Sequence, residues 1–130
     1  MNEFSKRIFK FWAYTVSHSF LILRSPRAFA DQDGYDDSLE YNIDIEFSAV
    51  AYLDVPTIMH GLKINQMKYN IPERLVHYKL DLGYKIYEIE SEGKFYYIVA
   101  SSCRVGKSRW ISEDRIQDMD LEYEEVMIIA

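Results

Sequence analysis

The stretch from Asn42 to Leu53 constrains this fold more than any other. Ile43, Ile45 and Phe47 alternate with Asn42, Asp44, Glu46 and Ser48, the period-two pattern of a strand with one apolar and one polar face. From Ala49 onward both faces turn apolar, because Val50 and Tyr52 fall on what had been the polar side. The pattern predicts a central strand of an antiparallel sheet, wet where it begins and covered at its far end.

The rest of the chain supplies neighbours for that strand. Residues 1–12 fit both a helical stripe and a strand, and the strand reading is favoured from about Phe9. Phe9 to Val16 and Phe20 to Ser25 are rich in aromatic and β-branched residues around the polar turn Ser17-His18-Ser19, which predicts a hairpin. A second hairpin is expected from Tyr84 to Ser91 and Lys94 to Cys103 around Glu92-Gly93. Shorter strands are expected at Leu62 to Gln66 and at Leu121 to Ile129, whose apolar end should pair within a sheet. Asn70, Pro72 and Glu73 read as the start of one short helix near 71–80, with Leu75, Val76 and Leu80 as its buried side. Arg104 to Ser108 reads as a basic loop, and Ser112 to Met119 as one helical turn at most.

The sum is a mainly β domain, α+β by count, with about seven strands in a largely antiparallel sheet, sandwich or partial barrel. At 130 residues the chain fits a single domain, 1–130, with a core that needs neither metal nor disulfide. The absence of alternating strands and helices argues against doubly wound nucleotide-binding folds.

Charge and cysteine content narrow the function. A formal net charge of -6 argues against a general nucleic-acid binder, which needs Lys and Arg to displace counterions from phosphates. The single cysteine, Cys103, cannot form an internal disulfide and suggests a reducing, cytoplasmic setting. Lys6, Arg7 and Lys10 before the apolar run Phe11 to Leu23, with Ala28-Phe29-Ala30 beyond it, imitate a signal peptide. Ser17-His18-Ser19 interrupts that run and Arg24 and Arg27 follow it, so no cleaved signal is expected. No stretch approaches the roughly 20 apolar residues that span a bilayer.

Several catalytic and metal constellations are approached and missed. Asp31, Asp33, Gly34, Asp37 and Glu40 occupy places of an EF-hand calcium loop, but its first place holds Phe29, its eighth holds Asp36, and flanking helices are not expected. Solvated carboxylates are the simpler reading, so no metal or cofactor is expected. Ser101 to Ser108 comes close to a P-loop, yet Ser101 stands where the first glycine belongs and its side chain would crowd the phosphate cradle. Cys103 could pair with His18, His60 or His77 as nucleophile and base, although a lone Cys closing an apolar strand is more often a small core residue. No histidine has metal-ligand spacing. Arg24, Arg27, Arg104, Lys107 and Arg109 around Trp110 would suit a single-stranded nucleic acid if they converged on one face, but scattered loop charges are the simpler reading given the acidic total.

One wider likeness involves Phe11-Trp12, Tyr14, Val16-Ser17-His18-Ser19, Leu21 and Leu23-Arg24-Ser25, then Asn42-Ile43-Asp44-Ile45, Phe47, Val50, Tyr52-Leu53, Pro56-Thr57, Gly61-Leu62 and Ile64. Over about the first half of the chain these resemble a group of small uncharacterised bacterial proteins, a resemblance that implies no activity or site. Small size and acidity also resemble immunity proteins in type, without a shared motif.

A binding role without catalysis is therefore expected. Asp31, Asp33, Asp36, Asp37, Glu40, Asp44 and Glu46, in a stretch with no Lys or Arg, together with eleven tyrosines, would form an acidic and Tyr-rich surface for a basic protein partner. Two alternatives are a small-ligand pocket lined by Phe47, Tyr52, Tyr97 and Val99, and a homo-oligomer joined through edge strands.

Overall fold

A computed structural model describes residues 2–78 and 82–129. One helical turn, α1 (Asn2–Ser5), precedes β1 (Ile8–Thr15), β2 (Phe20–Ser25), β3 (Asn42–Ser48), β4 (Tyr52–Leu53), β5 (Ile58–His60), β6 (Lys63–Met67), β7 (Lys85–Ser91), β8 (Lys94–Ala100), β9 (Ser102–Ser108) and β10 (Glu125–Ile128). They form two antiparallel sheets, in the orders β10-β9-β3-β2-β1-β5 and β4-β8-β7-β6. The domain is mainly β, and the sheets do not close into a barrel.

Both expected hairpins form. Ser19, at φ 48°, turns β1 into β2, and Glu92 and Gly93, at φ 52° and 76°, turn β7 into β8, the paired left-handed residues that a two-residue hairpin loop requires. A register shift between Phe11 and Ala13 marks a β-bulge at Trp12, where an extra residue re-aims a side chain.

The stretch 42–53 is not one strand. Ala49 takes φ 53°, the chain leaves the larger sheet after Ser48, and Tyr52–Leu53 pairs with β8 in the smaller one. The expected strand Lys94 to Cys103 divides in the same way at Ser101. There the Ser101 amide and hydroxyl both donate to the Ser48 carbonyl, at 2.9 and 3.1 Å. The two long stretches thus bend together at a shared corner. This is why the apolar face changes sides at Val50: a strand that switches sheets presents a new face to the core.

Between the sheets lie Phe9, Leu21, Leu23, Ile43, Ile45, Phe47, Tyr87, Ile89, Ile98 and Cys103, all fully buried or nearly so. Phe47 meets Tyr87 edge to face, with ring centroids 5.6 Å apart. A smaller cluster of Leu75, Ile86 and Val99, flanked by Tyr52, Tyr78, Tyr84 and Tyr97, packs separately from this core.

Two expectations are corrected. Among the described residues, the helix expected near 71–80 is a 3-10 turn, Glu73–Leu75, capped by Pro72 with no side-chain hydrogen bond. Asn70 sits at φ 56° and cannot serve as its cap, and Val76 is exposed, so Leu75 alone anchors the turn; Leu80 lies outside the described residues. The stretch Arg104 to Ser108, expected as a basic loop, belongs to strand β9, seated between β3 and β10.

Candidate functional site

The polar face of β3 does not meet water. Cross-strand pairing sets Asp44 between Arg24 and Gly106, and Glu46 between Ile22 and Arg104. Segment 109–124 then folds back across this face of the larger sheet. Arg24 and Asp44 are both 0% exposed, and Glu46 is 1% exposed, so neither carboxylate belongs to an accessible acidic surface.

Charge pairing makes that burial tolerable. Arg24 donates through Nε and Nη2 to the two oxygens of Asp44, at 2.6 and 2.9 Å, the bidentate geometry that arginine offers a carboxylate. Its Nη2 also donates to the Glu113 carbonyl, and its guanidinium lies 4.6 Å from the Trp12 ring centroid. Arg104 and Arg115 donate to opposite oxygens of Glu46, at 2.8 and 2.9 Å. Burial pushes the Asp44 carboxyl upward in pKa, while the bonds from Arg24 pull it down. Trp12 donates to Asp114, whose other oxygen accepts from the Ile116 and Gln117 amides.

Tyr123 is the clasp of this covering segment. Its hydroxyl lies 2.9 Å from Asp44 and also bonds Glu46, and its ring stacks on Trp110 with centroids 5.1 Å apart. Burial, reinforced by the two carboxylates, raises its pKa and keeps the proton on the hydroxyl. The ring also lies flat on the backbone of Gly106, where an added Cβ would come within 2.3 Å of it. Glycine in the P-loop-like string therefore admits an aromatic ring and not a phosphate. Gly106 has no left-handed φ to explain it.

Two exposed acidic segments leave the same end of the larger sheet. The first is 31–40, in the loop between β2 and β3. Arg7, 3% exposed, fixes the base of that loop by donating to the Ser25 hydroxyl and to the carbonyls of Ser25, Pro26, Ser38 and Tyr41. Asn42 links it to the covering segment, accepting from the Arg27 amide and donating to Ser108 and the Trp110 carbonyl. Asp31, Asp33, Asp36 and Asp37 remain exposed on it. The Ser38 hydroxyl and amide hold the Asp36 carboxyl below its usual range.

The second segment is 118–125, where Asp118, Asp120, Glu122, Glu124 and Glu125 are exposed. Sequence reading passed over these five, although residues 118–125 hold no Lys or Arg. Arg109 joins the two segments, approaching Glu40 at 3.4 Å and Glu124 at 3.9 Å.

The other candidates are dispersed. Phe47 lies in the core between the sheets, whereas Tyr52, Tyr97 and Val99 belong to the separate Leu75 cluster, so the four line no common pocket. Two surface depressions, of about 200 and 240 Å³, are lined instead around His60, Ser91 and Glu92. Asp31, Asp33, Asp37 and Glu40 do not converge as calcium ligands would; among the described residues no three His, Cys, Asp or Glu side chains are placed to hold a metal. The basic patch is threaded with acids, since Arg24, Arg104, Lys107 and Arg109 pair with Asp44, Glu46, Glu125 and Glu40.

Cys103 is fully buried, while His18, His60 and His77 are exposed. Burial, with the Glu46 charge adding to it, raises the thiol pKa far above neutrality, and the thiolate is the reactive form. Iodoacetamide at pH 8 is expected to label native Cys103 at least ~100-fold more slowly than the urea-unfolded chain. Comparable rates would place the thiol at an accessible, activated site.

The sequence matches no protein-family model, no curated protein and no solved structure. No helix among the described residues is long and apolar enough to cross a membrane.

Proposed function

We propose that this protein is a non-enzymatic binding module whose acidic end captures a basic protein. The observation that carries the reading is the position of Arg109 between Glu40 and Glu124, which makes neighbours of two carboxylate-rich segments far apart in sequence. The Arg7 anchor supports it further, because a loop held in place before binding loses less entropy on capture. Summed over both segments, the field at this end accelerates encounter with a cationic partner and repels anionic ones. Nucleic acid is therefore disfavoured as a partner. A small acidic protein that occludes a basic toxin, in the manner of immunity proteins, is the functional type that fits best. The lone, buried Cys103 supports a cytoplasmic setting.

The test uses the partner recovered by cross-linking from the source cells. Its association rate should fall at least ~10-fold at ~20 mM salt for the variant Asp31→Lys/Asp33→Lys/Asp37→Lys, and far less at ~500 mM, where the Debye length is only a few ångströms. An association rate indifferent to both charge and salt rejects the reading.

A further inference from the structure

The acidic end adjoins an open sheet edge. Among the described residues β10 pairs with β9 alone and closes one side of the larger sheet. The Ile129 amide donates to the Cys103 carbonyl at 3.0 Å. By the two-residue alternation of an antiparallel ladder Met127 addresses β9 in the same way, which turns the N–H and C=O groups of Val126 and Ile128 outward. The side chains of these two residues are exposed as well, at 51% and 64%.

Protein edges are commonly blunted by lysine, proline, a bulge or a covering segment. The strand Glu-Val-Met-Ile holds neither lysine nor proline. An apolar edge of this kind, bordered by carboxylates, has the composition of an interface centre with a charged rim.

We infer that the β10 edge takes up an extended segment of the basic partner as an additional strand. The inference rests on the proposed reading of the acidic end and names how the partner docks. Main-chain hydrogen bonds to Val126 and Ile128 supply affinity, and alternate side chains of the incoming strand supply specificity. Its apolar side chains pack on Val126 and Ile128, and its Lys or Arg side chains reach Glu122, Glu124 and Glu125. Charge selects this occupant over a second copy of the chain: two molecules of net charge -6 repel on approach, whereas a basic segment is drawn in.

A synthetic peptide of alternating valine and lysine, about eight residues long, is the probe, and one of alternating valine and glutamate is its control. The lysine peptide should slow hydrogen exchange of the Val126 and Ile128 amides at least ~10-fold and the glutamate peptide should not. Val126→Pro removes an outward N–H and leaves the β9 ladder intact, so peptide affinity should fall at least ~10-fold while the Met127 and Ile129 amides stay protected. If that variant does not fold, Ile128→Lys, which sets a cation on the edge, should weaken the lysine peptide to a similar extent.

Equal binding of the two peptides overturns the inference, as does unchanged affinity in the folded variant. So does a dimer by light scattering whose Val126 amide is already protected, because the edge then belongs to a second copy. Slowed exchange in 31–37 with no change at Val126 and Ile128 overturns strand addition while leaving the acidic end in place. Failure of the charge-reversal test strikes the acidic end itself.

Discussion

Asp44→Ala is expected to cost about 3–5 kcal/mol of folding stability, the range for removing one partner of a buried ion pair. The substitution leaves the Arg24 guanidinium charged and 0% exposed, and arginine cannot shed its proton to escape. The Glu113 carbonyl and the Trp12 ring stay beside it but carry no neutralising charge. Urea denaturation followed by tryptophan fluorescence measures the loss, and a change under ~1 kcal/mol would show that the pair is dispensable. The double replacement Arg24→Met/Asp44→Leu should recover most of the stability, since apolar side chains of similar volume commonly match or exceed a buried pair.

Gly106→Ala is expected to cost about 2–4 kcal/mol of folding stability. The new Cβ would stand 2.3 Å from ring carbons of Tyr123, so ring or strand must move. Moving the ring breaks its stack on Trp110 and withdraws the hydroxyl from Asp44 and Glu46. In the Tyr123→Ala background the same glycine change should cost less than ~1 kcal/mol, because the two act through one contact. Additive losses would place the strain elsewhere. Hydrogen exchange across 110–123 should rise in Gly106→Ala well before global unfolding, a local opening of the covering segment.

Apolar periodicity made most of the strands legible. Phe20 to Ser25, Tyr84 to Ser91 and the stretch after Gly93 follow rules local to a few residues, and the hairpins form where Ser19, Glu92 and Gly93 permit the turn. The sheet switch at Ala49 and Ser101 escaped because it depends on two distant segments bending together, and a single apolar run cannot announce it. The 3-10 turn was overread as a helix for a related reason: the cap signal at Asn70 was local, whereas Leu75 is the only residue of the turn that is buried.

The site was half legible. Asp31, Asp33, Asp36 and Asp37 stand in water as a polar loop should, yet Asp44 and Glu46 do not, since alternation separates two faces without saying which one is later covered. Arg24 inside the apolar run Phe20 to Ser25 was the available signal. A guanidinium there needs a buried carboxylate, and the polar face of the next strand holds two. The carboxylates of 118–125 were passed over because Leu121 to Ile129 was read as one strand for its apolar end, whereas the strand begins only at Glu125.

The claim that one acidic end does the binding is tested most directly by hydrogen-exchange footprinting of the protein with its cross-linked partner. Protection is expected in 31–40 and 118–125 within the same complex, extending onto β10, with little change around Tyr52 and Tyr97 on the smaller sheet. Protection confined to that tyrosine-bearing face, with 31–40 and 118–125 unchanged, would contradict the account.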